Sequence, residues 1–258
     1  RIMAELEVEL VPALSDNYIY LAHEPESGET AAVDPAEAEP VLKAAEAKGW
    51  RITHILNTHH HGDHTGGNRE VQKATGAPIV GPSYDAQRIP GIQAELAEGD
   101  TYKLGHAEAQ VFFTPGHTRG HIAYWFKDAN VLFSGDTLFA LGCGRLFEGD
   151  AAQMWDSLQK LRALPDATRI YCGHEYTRTN ARCALDLDPD NAKLRDYARV
   201  IATLRDAGQP TIPAQLGLEK AANPFLRADD PALAGAMGMT GAAPVEVFAA
   251  VREKRNGY

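Results

Sequence analysis

The segment Thr58-His59-His60-His61-Gly62-Asp63-His64 places four metal-binding side chains, His59, His61, Asp63 and His64, within one short stretch. On a chain leaving a strand, residues i and i+2 point the same way, so His59 and His61 converge on one ion. Asp63 and His64, past the turn at Gly62, reach a second. His60 lies between two ligands and points away, as a packing or supporting residue. Three more residues of the same chemistry each follow a strand-like run and a glycine: His117 in Thr114-Pro115-Gly116-His117, Asp136 in Ser134-Gly135-Asp136, and His174 in Cys172-Gly173-His174. A strand fixes a ligand's height at a sheet edge, and glycine lets the backbone come close to the ions.

Seven ligands suit two ions. His59, His61 and His117 hold one, Asp63, His64 and His174 the other, and Asp136 bridges them. Imidazole and carboxylate donors fit divalent zinc, with iron and manganese as alternatives. No thiolate is required, which matches an open catalytic site better than a closed structural one. Two divalent ions, two carboxylates and a hydroxide leave a net charge of about +1, suited to a developing oxyanion. Asp63 and Asp136 serve catalysis as ligands rather than as free bases. His23, His54 and His106 read as structural, His121 as support, and Asp34, at a strand end before Pro35, as a brace for a ligand histidine. There is no Gly-x-Ser-x-Gly elbow and no phosphate-binding Gly-x-x-x-x-Gly-Lys-Ser/Thr loop, and Cys143 has no dedicated histidine partner.

These residues need a scaffold. Strands are expected over 5–11, 18–22, 31–34, 52–56, 111–114, 122–126, 130–134 and 169–172, and helices over 36–48, 65–74 and 151–164. Strands interleaved with helices predict a layered α/β domain over residues 1–174. From 175 to 258 the pattern predicts helices over 177–187, 192–207 and 245–254, a Pro/Gly-rich loop through Pro224, and no strand. A smaller helical domain is expected there. No internal repeat is present.

The 258 residues are 44% hydrophobic and 23% charged, enough apolar content to bury a core. Lys and Arg total 25 against 35 Asp and Glu, a formal charge of −10 that argues against a nucleic-acid partner. Three cysteines suggest a reducing compartment rather than a disulfide framework. No run approaches the length of a membrane span and no signal-peptide core opens the chain, so a soluble, cytoplasmic protein without a membrane partner is expected. Arg1, where Met would open an unprocessed chain, reads as a processing remnant.

The stretches THHHGDHTGG (58–67), TPGHTRGH (114–121), SGDTLF (134–139), CGRLF (143–147), CGHEYT (172–177) and NPFLR (223–227) resemble the metallo-β-lactamase superfamily and, within it, the glyoxalase II (hydroxyacylglutathione hydrolase) family. The resemblance implies an αββα four-layer sandwich with a two-metal site at the sheet edge, and a C-terminal helical domain that binds substrate. It implies hydrolysis of S-(2-hydroxyacyl)glutathione, typically S-D-lactoylglutathione, to D-lactate and glutathione, the second step of methylglyoxal detoxification. It assigns the glutathione moiety to Arg145, Phe147 (often tyrosine in the family), Tyr176, Arg252 and Arg255 (usually lysine). Arginine keeps the charge but replaces a point cation with a fork. The basic segment Arg252-Glu253-Lys254-Arg255 supplies local cations for a substrate with two carboxylates on a chain of net negative charge.

The expected partner is thus a small-molecule glutathione thioester, taken by a monomer. Three rivals remain: a glutathione persulfide dioxygenase of the same superfamily, a nuclease, and a metal-loaded binding protein without turnover. The helical addition argues against the first, the acidic charge against the second, and room for water at the ions against the third.

Overall fold

The computed structural model describes residues 5–258; Arg1 lies outside them. The chain divides into two compact units. The first runs to Thr114 and resumes over Arg119–Gly135, and the second takes Pro115–Thr118 and Asp136–Tyr258.

The first unit opens with β1 (Glu7–Ala13), β2 (Asn17–His23), β3 (Glu29–Val33), α1 (Ala38–Lys48) and β4 (Arg51–Leu56). Then come α2 (Gly62–Thr65), α3 (Asn68–Thr75), β5 (Ile79–Pro82) and β6 (Ala94–Leu96). The six strands form one sheet in sequence order, antiparallel from β1 to β3 and parallel from β3 to β6. Val41 and Ala45 of α1 and Val71 of α3 bury against Ile19, Leu21, Ile52, Ile55 and Ile79, so the helices cover one face. The other face meets an antiparallel meander of β7 (Thr101–Leu104), β8 (Ala107–Phe113), β9 (Ile122–Phe126) and β10 (Val131–Gly135). Phe133 of β10 lies 5.7 Å, ring to ring, from Tyr20 of β2. The order is helix, sheet, sheet.

Strands β5, β6 and β7 are absent from the sequence expectation, and the helix predicted over 65–74 is α3, starting at Asn68, with the separate short α2 before it. Segments of three or four residues beside glycine and proline are too short to show an alternating pattern.

The second unit carries a short hairpin, β11 (Leu138–Phe139) and β12 (Gly142–Cys143), then α4 (Ala151–Arg162), β13 (Arg169–Cys172), α5 (Thr177–Leu187) and α6 (Ala192–Asp206). It continues through β14 (Ala214–Gln215), α7 (Leu216–Ala222), α8 (Pro231–Ala236) and α9 (Pro244–Asn256). A capping box between Asp150 and Gln153 starts α4. Leu141, Ala181, Ala184, Leu194, Tyr197, Ile201 and Ala222 form one core. Phe248 of α9 packs edge-on to Phe225 at 5.5 Å.

The expectation of no strand beyond 175 is corrected by β14, which pairs antiparallel with β13. Two residues leave no periodic signal; their strand character comes from their partner. The segment expected as a loop through Pro224 also contains α7. Among the described residues no helix is long and apolar enough to cross a membrane.

Candidate metal centre

In the first unit the histidine-rich loop leaves the C-terminal end of β4. Its start is pinned by Asn57, whose backbone oxygen accepts from Tyr124 Oη at 2.7 Å and whose Nδ2 donates to His64 O at 3.2 Å. His61 is the N-cap of α2, so Asp63 and His64 stand on the first turn of a helix. The ring of His59 lies 4.8 Å from that of His61 and 4.2 Å from that of His64, and His64 Nε2 is 3.4 Å from Asp63 Oδ2. His59 and His64 are buried, His61 and Asp63 half-buried. All four sequence-predicted residues of this unit therefore come together.

Hydrogen bonds dictate which ring nitrogen each histidine presents. Asp34 Oδ2 accepts from the Thr58 hydroxyl at 2.7 Å. A carboxylate only accepts, so the single hydroxyl proton of Thr58 is committed to it. Thr58 Oγ1 then accepts from His59 Nδ1, 2.9 Å away. The same Asp34 oxygen accepts from His64 Nδ1 at 3.1 Å. Both histidines carry their proton on Nδ1 and present the Nε2 lone pair, the tautomer a metal ligand needs. Asp34, expected to brace one ligand histidine, bonds His64 directly and His59 through Thr58. Asn17 escaped the sequence reading, and Gly135, flagged there as a glycine beside Asp136, has a specific task. Asn17 Nδ2 holds Asp63 through its backbone oxygen and its Oδ2, each at 3.0 Å. Gly135, at φ 52°, lets β10 close onto Thr58 and His121, both of which a Cβ there would overlap.

His121 stacks on His59 at 4.9 Å and bonds Thr114 Oγ1 through Nδ1 at 2.8 Å, in keeping with support. His60 Nδ1 is 3.5 Å from the buried carboxylate of Asp85. His23 and His54 have structural partners: Thr30 for the first, Tyr102 and Glu29 for the second.

The second unit gathers the remaining three. Asp136 Oδ2 lies 3.2 Å from His117 Nε2 and 3.2 Å from His174 Nε2, and all three residues are buried. His117 Nδ1 donates to the Arg145 carbonyl at 2.8 Å, so it too presents Nε2. Gly144 makes this possible, because a Cβ there would overlap the Asp136 carbonyl and approach His117 Nδ1 to 3.0 Å. Tyr176 stacks flat on His174 at 4.7 Å, and Phe139 stands edge-on to Tyr176 at 5.3 Å. Phe147 is 63% exposed, with its ring 5.2 Å from that of His117. Arg145 is exposed, whereas Arg252 is buried. The Arg252 guanidinium donates to Cys143 O at 2.6 Å, and Arg255 Nε donates to Asn180 Oδ1 at 2.6 Å.

The cysteines are not poised as nucleophiles. Burial pushes the Cys143 thiol up to about 11 and the Cys172 thiol up to about 12. Both are protonated at neutral pH, and the thiolate is the reactive form.

Imidazole Nε2 atoms oriented by hydrogen bonds at Nδ1, converging with carboxylate oxygens, form a donor set for divalent metal ions. Residues 26–174 match the metallo-beta-lactamase superfamily, and residues 175–258 match the hydroxyacylglutathione hydrolase C-terminus. The hydroxyacylglutathione hydrolase of Rhodospirillum rubrum is 58% identical over 99% of this chain and 100% of its own length. That of Methylococcus capsulatus is 54% identical over 98% and 99%. Among solved structures, ETHE1 from Myxococcus xanthus aligns with TM-score 0.70 and 25% identity, covering 96% of this chain and 90% of its own. A di-iron-bound form of TTHA1623 aligns with TM-score 0.60 and 26% identity, covering 84% and 98%.

Proposed function

Because the chain belongs to the hydroxyacylglutathione hydrolase family, within the metallo-β-lactamase superfamily and its fold, we propose that it hydrolyses S-(2-hydroxyacyl)glutathione, with S-D-lactoylglutathione as the typical substrate. The observation that carries this reading is the pair of full-length relatives at 58% and 54% identity, both hydroxyacylglutathione hydrolases.

His59, His61 and His117 would hold one divalent ion, Asp63, His64 and His174 a second, with Asp136 shared. Zinc is the proposed metal, and the di-iron form of TTHA1623 keeps iron as the alternative. Ions bound there would supply an acidified water, with a pKa of about 7, and Lewis acidity toward the thioester carbonyl.

The chain's own residues supply the rest. Asp34 and Thr58 keep the donor nitrogens of His59 and His64 aimed before substrate arrives, and the Arg145 carbonyl does so for His117. Arg145 and Phe147, from a catalytic domain over 1–174, take the glutathione moiety together with Tyr176, Arg252 and Arg255 of a helical substrate-binding domain over 175–258. The aromatic faces of Phe147 and Tyr176 cover apolar parts of the tripeptide, and the cations answer its carboxylates. The leaving thiol has a reference pKa of about 8.5, so it departs as thiolate without a protein acid. The proposal includes a cytoplasmic monomer acting in methylglyoxal detoxification, with no nucleic-acid or membrane partner.

The glutathione persulfide dioxygenase reading rests on the likeness to ETHE1, at 25% identity. The match of residues 175–258 to the hydrolase C-terminus favours the thioesterase. The deciding experiment is hydrolysis of S-D-lactoylglutathione before and after chelation, beside oxygen uptake with glutathione persulfide. Chelator-sensitive thioester loss without oxygen uptake is expected. Intact thioester in metal-replete protein would overturn the proposal.

A further inference from the structure

Asp136 and the Arg145 carbonyl that orients His117 are joined by one short stretch of chain, the β11–β12 hairpin. That hairpin has little to hold itself. It pairs over only Leu138–Cys143 and Phe139–Gly142. At its tip Leu141 sits at φ 54°, the left-handed region that favours glycine. A non-glycine residue there is strained and persists only where the surroundings over-determine it.

Those surroundings are polar side chains of the C-terminal helical region. Asn223, which follows α7 in the NPFLR stretch, is fully buried. Its Nδ2 donates to Phe139 O and to Gly142 O, each at 3.2 Å, so it bridges both strands of the hairpin. Its Oδ1 accepts from Phe225 N at 2.9 Å, which fixes the plane of the amide. Glu219 Oε1 accepts from the strained Leu141 N–H at 2.7 Å and from Asn223 Nδ2 at 3.1 Å. Asn180 Nδ2 of α5 donates to Ala140 O at 3.0 Å. The hairpin backbone is thus clamped between Asp136 and Arg145 by Asn223, Glu219 and Asn180.

We propose that Asn223, with Glu219, is a positioning residue for the hydrolytic reaction: it fixes the Leu138–Cys143 hairpin and thereby the relative placement of Asp136 and of the Arg145 carbonyl that orients His117. The helical region then has a second task besides taking the glutathione moiety. Losing the clamp lets His117 turn away from its donor geometry. Residues that orient metal ligands through hydrogen bonds typically change metal affinity or activity about 10- to 100-fold when replaced.

The inference rests on the metal-dependent thioesterase reading, and its test separates the two. Asn223→Asp keeps the acceptor for Phe225 N–H and removes both donors. Asn191→Ala serves as the control: Asn191 caps α6 in the same unit and bonds Leu194 N, Asp188 and Ala221. Metal affinity by chelator competition, kcat, KM and Tm are measured for each. The expected result for Asn223→Asp is a fall of about 10- to 100-fold in metal affinity and in kcat, with KM within about threefold. Asn191→Ala is expected to lower Tm while leaving affinity and kcat unchanged. Folded Asn223→Asp with wild-type affinity and kcat would overturn the proposal, as would equal losses in the control. If Asn223→Asp does not fold, Glu219 decides. Glu219→Ala should show the loss, and Glu219→Gln, whose amide oxygen can still accept from Leu141 N–H, should restore both values. Identical behaviour of the two Glu219 variants would also overturn it. Wild-type protein that binds metal but leaves the thioester intact would instead sink the functional reading, with the affinity comparison still standing.

Discussion

Asp34 Oδ2 lies 3.1 Å from His64 Nδ1, and both groups are buried. The same oxygen takes the Thr58 proton and so reaches His59. One carboxylate therefore sets the tautomer of two histidines.

Asp34→Asn tests this without disturbing the backbone, because Asp34 sits at φ 50°, a conformation asparagine also tolerates. The amide can present an N–H to His64 and oppose the required tautomer. Metal affinity is expected to fall about 10- to 100-fold, with Tm of the metal-free protein little changed. Chelator competition reads it. Unchanged affinity would assign Asp34 a purely structural part.

Glu219 gives a pH signature of stability. Burial pushes its carboxyl up to about 7, against hydrogen bonds from Leu141, Tyr197 and Asn223 that pull it down. The folded protein thus holds this proton more tightly than the unfolded chain, whose glutamate titrates near 4.5. The contribution is complete below 4.5 and is lost as pH rises to about 7. The difference is worth roughly 3 kcal/mol. Denaturant titrations of wild type and Glu219→Gln from pH 4 to 8 should diverge across that window, with wild type losing more stability as pH rises. Parallel curves would contradict the assignment.

Arg252 separates substrate binding from hairpin support. Its guanidinium is buried, donates to Cys143 O at 2.6 Å and lies 5.1 Å from the Phe225 ring centre. If it also contacts a remote carboxylate of glutathione, Arg252→Ala raises KM about tenfold or more with a smaller change in kcat. A fall in kcat at unchanged KM would mean that the guanidinium acts only on the hairpin.

Local order in the sequence decided the chemistry of the centre. His59, His61, Asp63 and His64 lie on one short loop, and spacing alone puts them within reach of one another; the Gly-flanked His117, Asp136 and His174 carry the same mark. The main helices were legible for the same reason, since helical periodicity and caps are written within a dozen residues. What only the tertiary structure decided is how those donors are aimed. Asp34 meets Thr58 across 24 residues, Asn17 meets Asp63 across 46, Glu219 meets Leu141 across 78 and Asn223 meets Phe139 across 84. An asparagine or glutamate that acts on so distant a backbone leaves no periodic trace. It acquires its role only when folding removes water and leaves the remote group as its partner. Strands β5, β6, β7 and β14 escaped detection on the same ground: a segment of two to four residues becomes a strand through its neighbour's hydrogen bonds, not through its own composition.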